Sequence, residues 1–501
     1  MIVLVAINAR YQHSSLGMRC LLANMGPLQS QTVLLEFDLQ RDAVSMAEAI
    51  LVHQPVVVGI GVYIWNVALC RRLLSVLRCL QPGLTLVVGG PELSDVTADH
   101  PIMADVDYVL IGEADQAFGQ LCHDILDGQR SDQAILRLPP PDLVQLELPY
   151  RHYGPEEIAH RTLYVESSRG CPFHCSFCLS ALDHAVRLFP LPSVLSALQD
   201  LLDRGARQFK FVDRTFNLNL SRAEAILTFF LDFLHQQPSP DLLLHFEMIP
   251  DRLPQSLRQL LQRFPAGTVQ LELGIQSFNP DVLQRIGRHQ DEARLADNLR
   301  WLRQNTGVHL HTDLIAGLPG EDWASLAAGF DQLLALEPHE IQLGILKQLP
   351  GTPLLQQAAE QGMIFSPDPP YELLCSHTIN FFAMQRIRRL AHYWDSIGNS
   401  GRLLQTRTLL LQLGSSPFAT LMQLSDWLYA TTMSLHGIAF RRLCQLLIQA
   451  GLELFQDDAD RIHQAVLFDY QRTDPAGQLP PLSSRQTATK RHRQQRHLVN
   501  N

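Results

Sequence analysis

Residues 162–178 read TLYVESSRGCPFHCSFC. The first part, TLYVES (162–167), has the apolar and aromatic pattern of a buried strand, and a glycine–proline turn follows it. That turn carries Cys171, Cys175 and Cys178 at spacings of four and three. A strand running into a chemically equipped turn is the unit of β-α barrels, whose active sites collect at the carboxyl ends of the strands. Further strand candidates follow at FKFV (209–212), LLLHFE (242–247), VQLELGI (269–275), VHLHTDLI (308–315) and IQLGIL (341–346). Between them lie helical stretches such as SRAEAILTFFLDFLHQQ, whose apolar residues recur three and four apart behind a serine cap. Six such repeats predict a partial (β/α)6 barrel, two repeats short of a complete one.

Upstream, residues 2 to about 126 have another rhythm. IVLVAI, TVLLEF, VVVGIGVY, LTLVVGG and DYVLIGE are short apolar runs separated by helix-like stretches, which implies a parallel sheet covered on both faces. Ligands of such doubly wound sheets sit beyond the carboxyl ends of the strands. Those ends are GVYIWN (61–66), GGPELSD (89–95) and GEADQAF (112–118), and the first strand is not followed by a GxGxxG turn, which disfavours a dinucleotide. The overall class is therefore α/β. The expected organisation is a doubly wound domain over 1–126, a proline-rich linker over 127–160, the barrel over 161–365, a mostly helical domain over 366–475 and a basic tail over 476–501.

Composition narrows the class. No run of 18 apolar residues suits a bilayer, and MIVLVAINAR lacks a basic leader and a cleavage site, so a cytoplasmic protein is expected. Nine cysteines, an odd count on a long chain, speak against a disulfide framework. The five basic residues from Arg485 onward leave 35 basic against 50 acidic residues ahead of them, so nucleic acid is not indicated except through that tail.

Three clustered thiolates select zinc, copper(I) or an iron–sulfur cluster. Structural zinc takes four ligands, and no second cysteine pair follows at suitable spacing, although His174 adjoins Cys175. A cuboidal cluster ordinarily takes one thiolate per iron, so three would leave one iron open to a substrate or cofactor. Structural cysteines in a turn are the plain alternative.

SSRGCPFHCSFC resembles the CxxxCxxC signature of the radical S-adenosylmethionine (SAM) enzymes, with Phe177 in the aromatic place before the last cysteine. The resemblance covers about residues 160 to 360 and implies a 4Fe-4S cluster on Cys171, Cys175 and Cys178 whose open iron chelates SAM for reductive cleavage. It further implies a low-potential electron donor such as a flavodoxin or ferredoxin. Asp213 in FVDRTFN stands where many relatives carry a glycine-glycine-glutamate turn, and Glu247 ends the next strand. LELGIQSFNPDVLQRIGR, with Gln276 and Arg288, and TDLIAGLPGE, with Asp313, resemble stretches of the oxygen-independent coproporphyrinogen oxidases and Elongator-type enzymes that touch SAM. Phe177, Asp213, Glu247, Gln276, Arg288 and Asp313 are thus the expected SAM residues.

The first 126 residues are similar to the cobalamin-binding domain that precedes the barrel in many radical SAM enzymes. That likeness implies a corrinoid near Tyr63, Trp65, Asn66, Gly89, Gly90, Pro91, Gly112 and Glu113. The DxHxxG motif is missing, since His13 in YQHSSLG lacks the aspartate and the correctly spaced glycine, so no histidine ligand to cobalt is expected. The layout, including NARYQHSSLG, PDPPYELL (367–374) and DSIGNSGRL (395–403), looks like a radical SAM family with a carboxyl-terminal domain of unknown function. The implied activity is cobalamin-dependent methyl transfer to an unactivated carbon. The alternatives are a cobalamin-independent radical SAM enzyme modifying RNA or a small molecule, and a non-catalytic cobalamin or SAM sensor.

Overall fold

The computed structural model describes residues 1–183, 185–237, 241–475, 477 and 479. The expected basic tail lies outside the described residues except at 477 and 479. Two compact units divide the chain, Met1–Met384 and Gln385–Asn501.

In the first unit, IVLVAIN forms β1 (Ile2–Asn8), all seven residues buried. It pairs in parallel with β2 (Thr32–Asp38) and β3 (Val57–Gly61), and β4 (Thr85–Gly89), β5 (Tyr108–Ile111) and β6 (Ile135–Arg137) extend the sheet in the order β2-β1-β3-β4-β5-β6. Alternation along β1 serves two layers. Val3, Val5 and Ile7 pack with α2 (Ala43–Leu51) and α3 (Val67–Leu80), while Ile2, Leu4 and Ala6 pack with α1 (Leu16–Ala23) and α4 (Ala117–Leu126). Burial of each such side chain contributes about 1.5–3 kcal/mol. Chain direction across the sheet reverses between β1 and β3, which opens a crevice at the carboxyl ends there. The sixth strand arises from the stretch expected to be a linker, because Ile135–Arg137 finds an open edge on β5.

The second sheet holds the other six expected strands, all parallel: β7 (Leu163–Val165), β10 (Gln208–Phe211), β11 (Leu243–Met248), β12 (Val269–Gln276), β13 (His309–Ala316) and β14 (Glu340–Ile345), in the order β14-β13-β12-β11-β10-β7. Helices Leu191–Asp203, Leu220–Gln236, Gln255–Gln262, Glu292–Asn305 and Trp323–Leu334 alternate with the strands. β11, β12 and β13 bury every second residue, and the apolar set (Phe246, Leu271, Leu310) packs outward. The alternate set (His245, Glu272, His311) is polar and half-buried. Between β7 and β10 a short antiparallel ribbon forms from β8 (Ser168–Arg169) and β9 (Arg187–Leu188).

The second unit is helical, as expected. Its core gathers Leu424, Leu428, Leu446, Leu447 and Val466 from helices Pro417–Thr432, Phe440–Leu454 and Ala459–Thr473. Asp469, fully buried, accepts hydrogen bonds from Thr406 N–H and Oγ1, both 2.8 Å, and so anchors helix Leu404–Leu410. In DSIGNSGRL, Gly398 lies against the Trp394 ring with no room for a Cβ. Among the described residues no helix is long and apolar enough to cross a membrane.

Gly90 turns the chain after β4 at φ 119°, and a Cβ there would collide with the Val62 carbonyl. Gly90→Ala is expected to cost about 1–3 kcal/mol in thermal denaturation. Gly83→Ala, with open space around its Cβ position, is expected to be near neutral.

Candidate functional site

Cys171, Cys175 and Cys178 leave β7 through a turn held from several sides. Cys171 N–H donates to Asp183 O (3.0 Å), Ser176 N–H to Ile286 O (3.0 Å) and Leu354 N–H to Ser176 O (2.9 Å). The first two cysteines are buried and the third is half-buried. Burial pushes the Cys171 and Cys175 thiols up, while Arg288, whose Nη1 lies 4.0 Å from Cys175 Sγ, pulls the latter back.

These cysteines line a cavity of about 200 Å3 at the carboxyl ends of the barrel strands. Phe177, Glu247, Gln276, Arg288 and Asp313 line it with them, so eight of the nine expected cluster and SAM positions converge. Asp213 does not join them. It is 1% exposed, and its oxygens accept from Ser167 N–H (2.9 Å), Ser167 Oγ (2.7 Å) and Ser168 Oγ (2.6 Å). The carboxylate that might have met a ligand instead fastens the start of the cysteine turn to the end of β10. Its neighbour Arg214 faces the cavity and pairs with Glu247 at 3.2 Å.

Two side-chain atoms on the cavity wall show that a polar guest fits. Gln276 Oε1 is buried without a partner, and Asp313 Oδ1 is buried with only an ion-pair contact to His311 Nε2 at 3.3 Å; acceptors left so are rare in a folded protein unless a ligand completes the site. Gln276 also holds φ 72°, at a register shift between Gly274 and Gln276, and such strain collects at ligand sites. Among the described residues no three Cys, His, Asp or Glu side chains stand close enough for a single ion, so the shared wall of cysteines suits a larger body.

Sequence reasoning missed Arg214 and Glu272. Glu272 was legible in principle, two positions before Gly274 on the same strand face, but its partners come from other strands. His245 Nε2 lies 2.8 Å and Lys210 Nζ 3.2 Å away, and although burial works to raise this carboxyl, the pair holds it at about 2. Next to it, His311 reaches Glu340 (2.9 Å) and Asp313 (3.3 Å). Burial disfavours its charge, yet the two carboxylates raise it to about 10. Asp313 and Glu247, by contrast, are raised by burial despite their cationic neighbours.

A second cavity, about 270 Å3, opens beyond β3, β4 and β5. Of the eight expected corrinoid positions, Tyr63, Gly89, Gly90, Gly112 and Glu113 line it, and Trp65, Asn66 and Pro91 do not. Asn66 is fully buried and holds the loop from inside, accepting from Tyr63 N–H (2.8 Å) and donating to the Ile7 and Gly61 carbonyls, both 3.0 Å. Trp65 stacks on Tyr63 with centroids 4.4 Å apart, and its indole N–H donates to Ile7 O. Gly59 and Gly61 line it where neighbouring side chains pack closest: a Cβ on Gly59 would fall 2.7 Å from the Phe118 ring and one on Gly61 2.7 Å from Met18 Cε. With Met18, Tyr63, Val87, Leu110 and Phe118 in the same lining, the cavity is largely apolar and suits a bulky, flat-sided cofactor. His13 is elsewhere, 2.7 Å from Tyr164 Oη, and no histidine is among the described residues that line this cavity.

Family models match along the chain: the B12 binding domain over residues 2–122, the radical SAM superfamily over 165–332 and a protein of unknown function, DUF4080, over 359–501. Curated relatives include a 2-(S-pantetheinyl)-carbapenam-3-carboxylate methyltransferase of Streptantibioticus cattleyicolor, 28% identical over 60% of this chain and 48% of that protein. Another is a tRNA-2-methylthio-N(6)-dimethylallyladenosine synthase of Thiobacillus denitrificans, 23% identical over 56% of this chain and 63% of that protein. The matches span less than two thirds of these relatives' lengths. Among solved structures, the methyltransferase TsrM of Kitasatospora setae with cobalamin and a [4Fe-4S] cluster has a TM-score of 0.62 at 17% identity, over 94% of this chain and 99% of that one. The cobalamin-dependent SAM radical enzyme OxsB with aqua-cobalamin has 0.64 at 14%, over 99% and 83%. These likenesses are of fold. The domains themselves imply SAM, a 4Fe-4S cluster and cobalamin as cofactors.

Two measurements check this site. Asp213→Asn turns a hydrogen-bond acceptor into a partial donor against three donors and is expected to lower stability by about 2 kcal/mol by denaturant titration. His311 carries a raised value, so its stabilisation is complete below the ordinary histidine value of 6.5 and fades as pH rises through about 10. The stability gap between the parent and His311→Gln should therefore be present at pH 6.5 and nearly closed at pH 10.5.

Proposed function

The chain carries a radical SAM superfamily domain between a B12-binding domain and a domain of unknown function, and from that premise we propose a cobalamin-dependent radical SAM methyltransferase acting on an unactivated carbon. The observation that carries this reading is the convergence of three cysteines with the unsatisfied Gln276 oxygen and the Asp313 carboxylate in one cavity, alongside a largely apolar second cavity of the same unit.

When bound, the cluster supplies the electron that opens the sulfonium of SAM, and cobalamin supplies a carrier for a methyl group. The residues have separable tasks. Cys171, Cys175 and Cys178 hold three irons. Arg214 and Glu247 offer a cation and an anion side by side, which suits the carboxylate and ammonium of an amino acid. Gln276 presents a free acceptor to a ribose hydroxyl, and the Asp313 carboxylate, ion-paired with His311, offers a second acceptor beside it. Phe173, Met248, Ile249 and Pro250 give the wall its apolar stretches and exclude water from the polar contacts. Glu272, kept anionic by His245 and Lys210, holds a fixed negative field on this wall.

Radical SAM proteins draw on a reductant, and a flavodoxin or ferredoxin is the proposed donor. The relative named as a carbapenam methyltransferase supports methyl transfer as the outcome. The relative named as a tRNA methylthio synthase favours it less, since among the described residues that line the first-domain cavity only Cys20 is a cysteine.

Protein purified without oxygen, reconstituted with iron and sulfide and given hydroxocobalamin, is expected to show cluster absorbance, retain corrinoid and release 5'-deoxyadenosine with dithionite. Cys175→Ala should lose the cluster and the cleavage yet keep corrinoid, and retained cleavage would overturn the cluster assignment. Arg288→Ala should keep the cluster while SAM affinity falls about tenfold or more, and unchanged affinity would remove Arg288 from the site.

A further inference from the structure

Arg169 belongs neither to the cysteine set nor to the wall around it, yet its guanidinium is held by three carboxylates. Nε and Nη2 donate to Glu166 (3.0 and 2.8 Å), Nη1 and Nη2 to Asp115 (2.8 and 2.9 Å), and Nη1 to Glu113 (2.7 Å). The side chain is 14% exposed, and those of Asp115 and Glu166 are 5% and 6%. Glu113 and Asp115 sit in the turn after β5, and all four residues line the second cavity.

The backbone of the same arginine leads to the cysteines. Arg169 pairs with Arg187 across the β8–β9 ribbon. Gly170, at φ 90°, packs on the Ala185 carbonyl with no space for a Cβ, and the next residue is Cys171, whose N–H donates to Asp183 O. Arg187 closes the circuit, paired with Asp183 at 2.7 Å and with Glu113. One carboxylate of the second cavity, Glu113, is thereby tied to both strands of the ribbon that carries the first cluster ligand. The pairs of Arg169 with Asp115 and Glu166 are nearly out of water and resist separation, because a carboxylate or guanidinium left alone there bears its desolvation cost, while the half-buried Glu113, Arg187 and Asp183 extend the same chain of charges. Movement of the turn at 112–115 therefore has to be followed by the ribbon.

We propose that Arg169 is the positioning residue that couples the two cofactor sites. A corrinoid seated against the turn at 112–115 fixes Glu113 and Asp115, and through Arg169 and the ribbon it fixes the backbone that presents Cys171. The inference rests on the function proposed above, and it adds that filling either site tightens the other. Linkage makes the effect reciprocal and of equal factor in both directions, and such couplings commonly amount to about 5- to 150-fold.

The test compares hydroxocobalamin affinity, by absorbance titration under anaerobic conditions, in full-length cluster-free and cluster-loaded protein. The expected result is binding about tenfold tighter in the cluster-loaded form. Arg169→Lys keeps the charge and loses the fork, so the ratio should fall to about one while hydroxocobalamin still binds. Arg258→Lys alters a pair with Asp297 between two barrel helices and should leave the ratio at its parent value. A second reading is the rate at which an iron chelator strips the cluster. Hydroxocobalamin should slow it in the parent and leave it unchanged in Arg169→Lys, whereas loss of mere structural support would alter the basal rate and keep the response. A parent ratio of one, with both cofactors bound, overturns the coupling and leaves the proposed function standing, and it needs no variant to fold. A ratio that survives Arg169→Lys removes Arg169 from the role. Failure of either cofactor to bind at all overturns the function and the coupling together.

Discussion

Six parallel strands do not close into a barrel, and the inner face of the second sheet consequently has no opposite wall of its own to pack against. In a complete barrel, interlocking branched side chains fill that space. Here β10 to β14 turn Lys210, His245, Glu272, His311, Asp313 and Glu340 toward it or toward its rim, while their alternate residues form the apolar layer under the helices. Much of the chemistry of the chain follows from that asymmetry. A polar inner face is costly unless its charges are paired, and the pairs run from strand to strand: Lys210 and His245 with Glu272, His311 with Asp313 and Glu340.

Pairing leaves a few groups unfinished, and these mark where ligands belong. At the top of the inner face, next to three thiols on the first turn, Gln276 keeps a buried oxygen without a partner and Asp313 one with only its ion-pair contact to His311. Three buried carboxylates and amides elsewhere have their acceptors in use and act as fasteners. Asp213 grips Ser167 and Ser168, Asp469 grips Thr406, and Asn66 grips the loop after β3. A buried polar group whose acceptors are all used builds a loop, whereas one with a free acceptor beside a cavity is available to a guest.

The cysteine turn is the junction where both sheets meet this logic. It leaves β7, is pinned to β10 through Asp213, and is tied to the first sheet through three of the five bonds of Arg169, those to Glu113 and Asp115. The rigidity of the cysteine turn is therefore a property of both sheets at once. Glycine plays the complementary part in the first sheet, where Gly59 and Gly61 admit the Phe118 and Met18 side chains, and Gly90 and Gly112 let the chain turn against the Val62 and Leu138 carbonyls at the strand ends.

By itself the sequence determined eleven of the twelve strands of the two parallel sheets and their order along the chain, all but β6, because runs such as IVLVAIN and VQLELGIQ carry their burial pattern in their spelling. It also determined the cysteine triad and most of the cavity wall, since polar residues at the ends of parallel strands converge whatever the loops do. Only the tertiary structure decided between neighbours one residue apart. Asp213 turns inward to the serines and Arg214 outward to the cysteine cavity, and Tyr63 faces the second cavity while Trp65 and Asn66 brace its loop. Such choices depend on the direction of a turn and on partners tens of residues away, as with Glu272 and Lys210 or Arg169 and Asp115. Local spelling carries periodicity and residue type, but the orientation of a side chain in a loop is set by whichever distant donor or charge reaches it first in the folded chain.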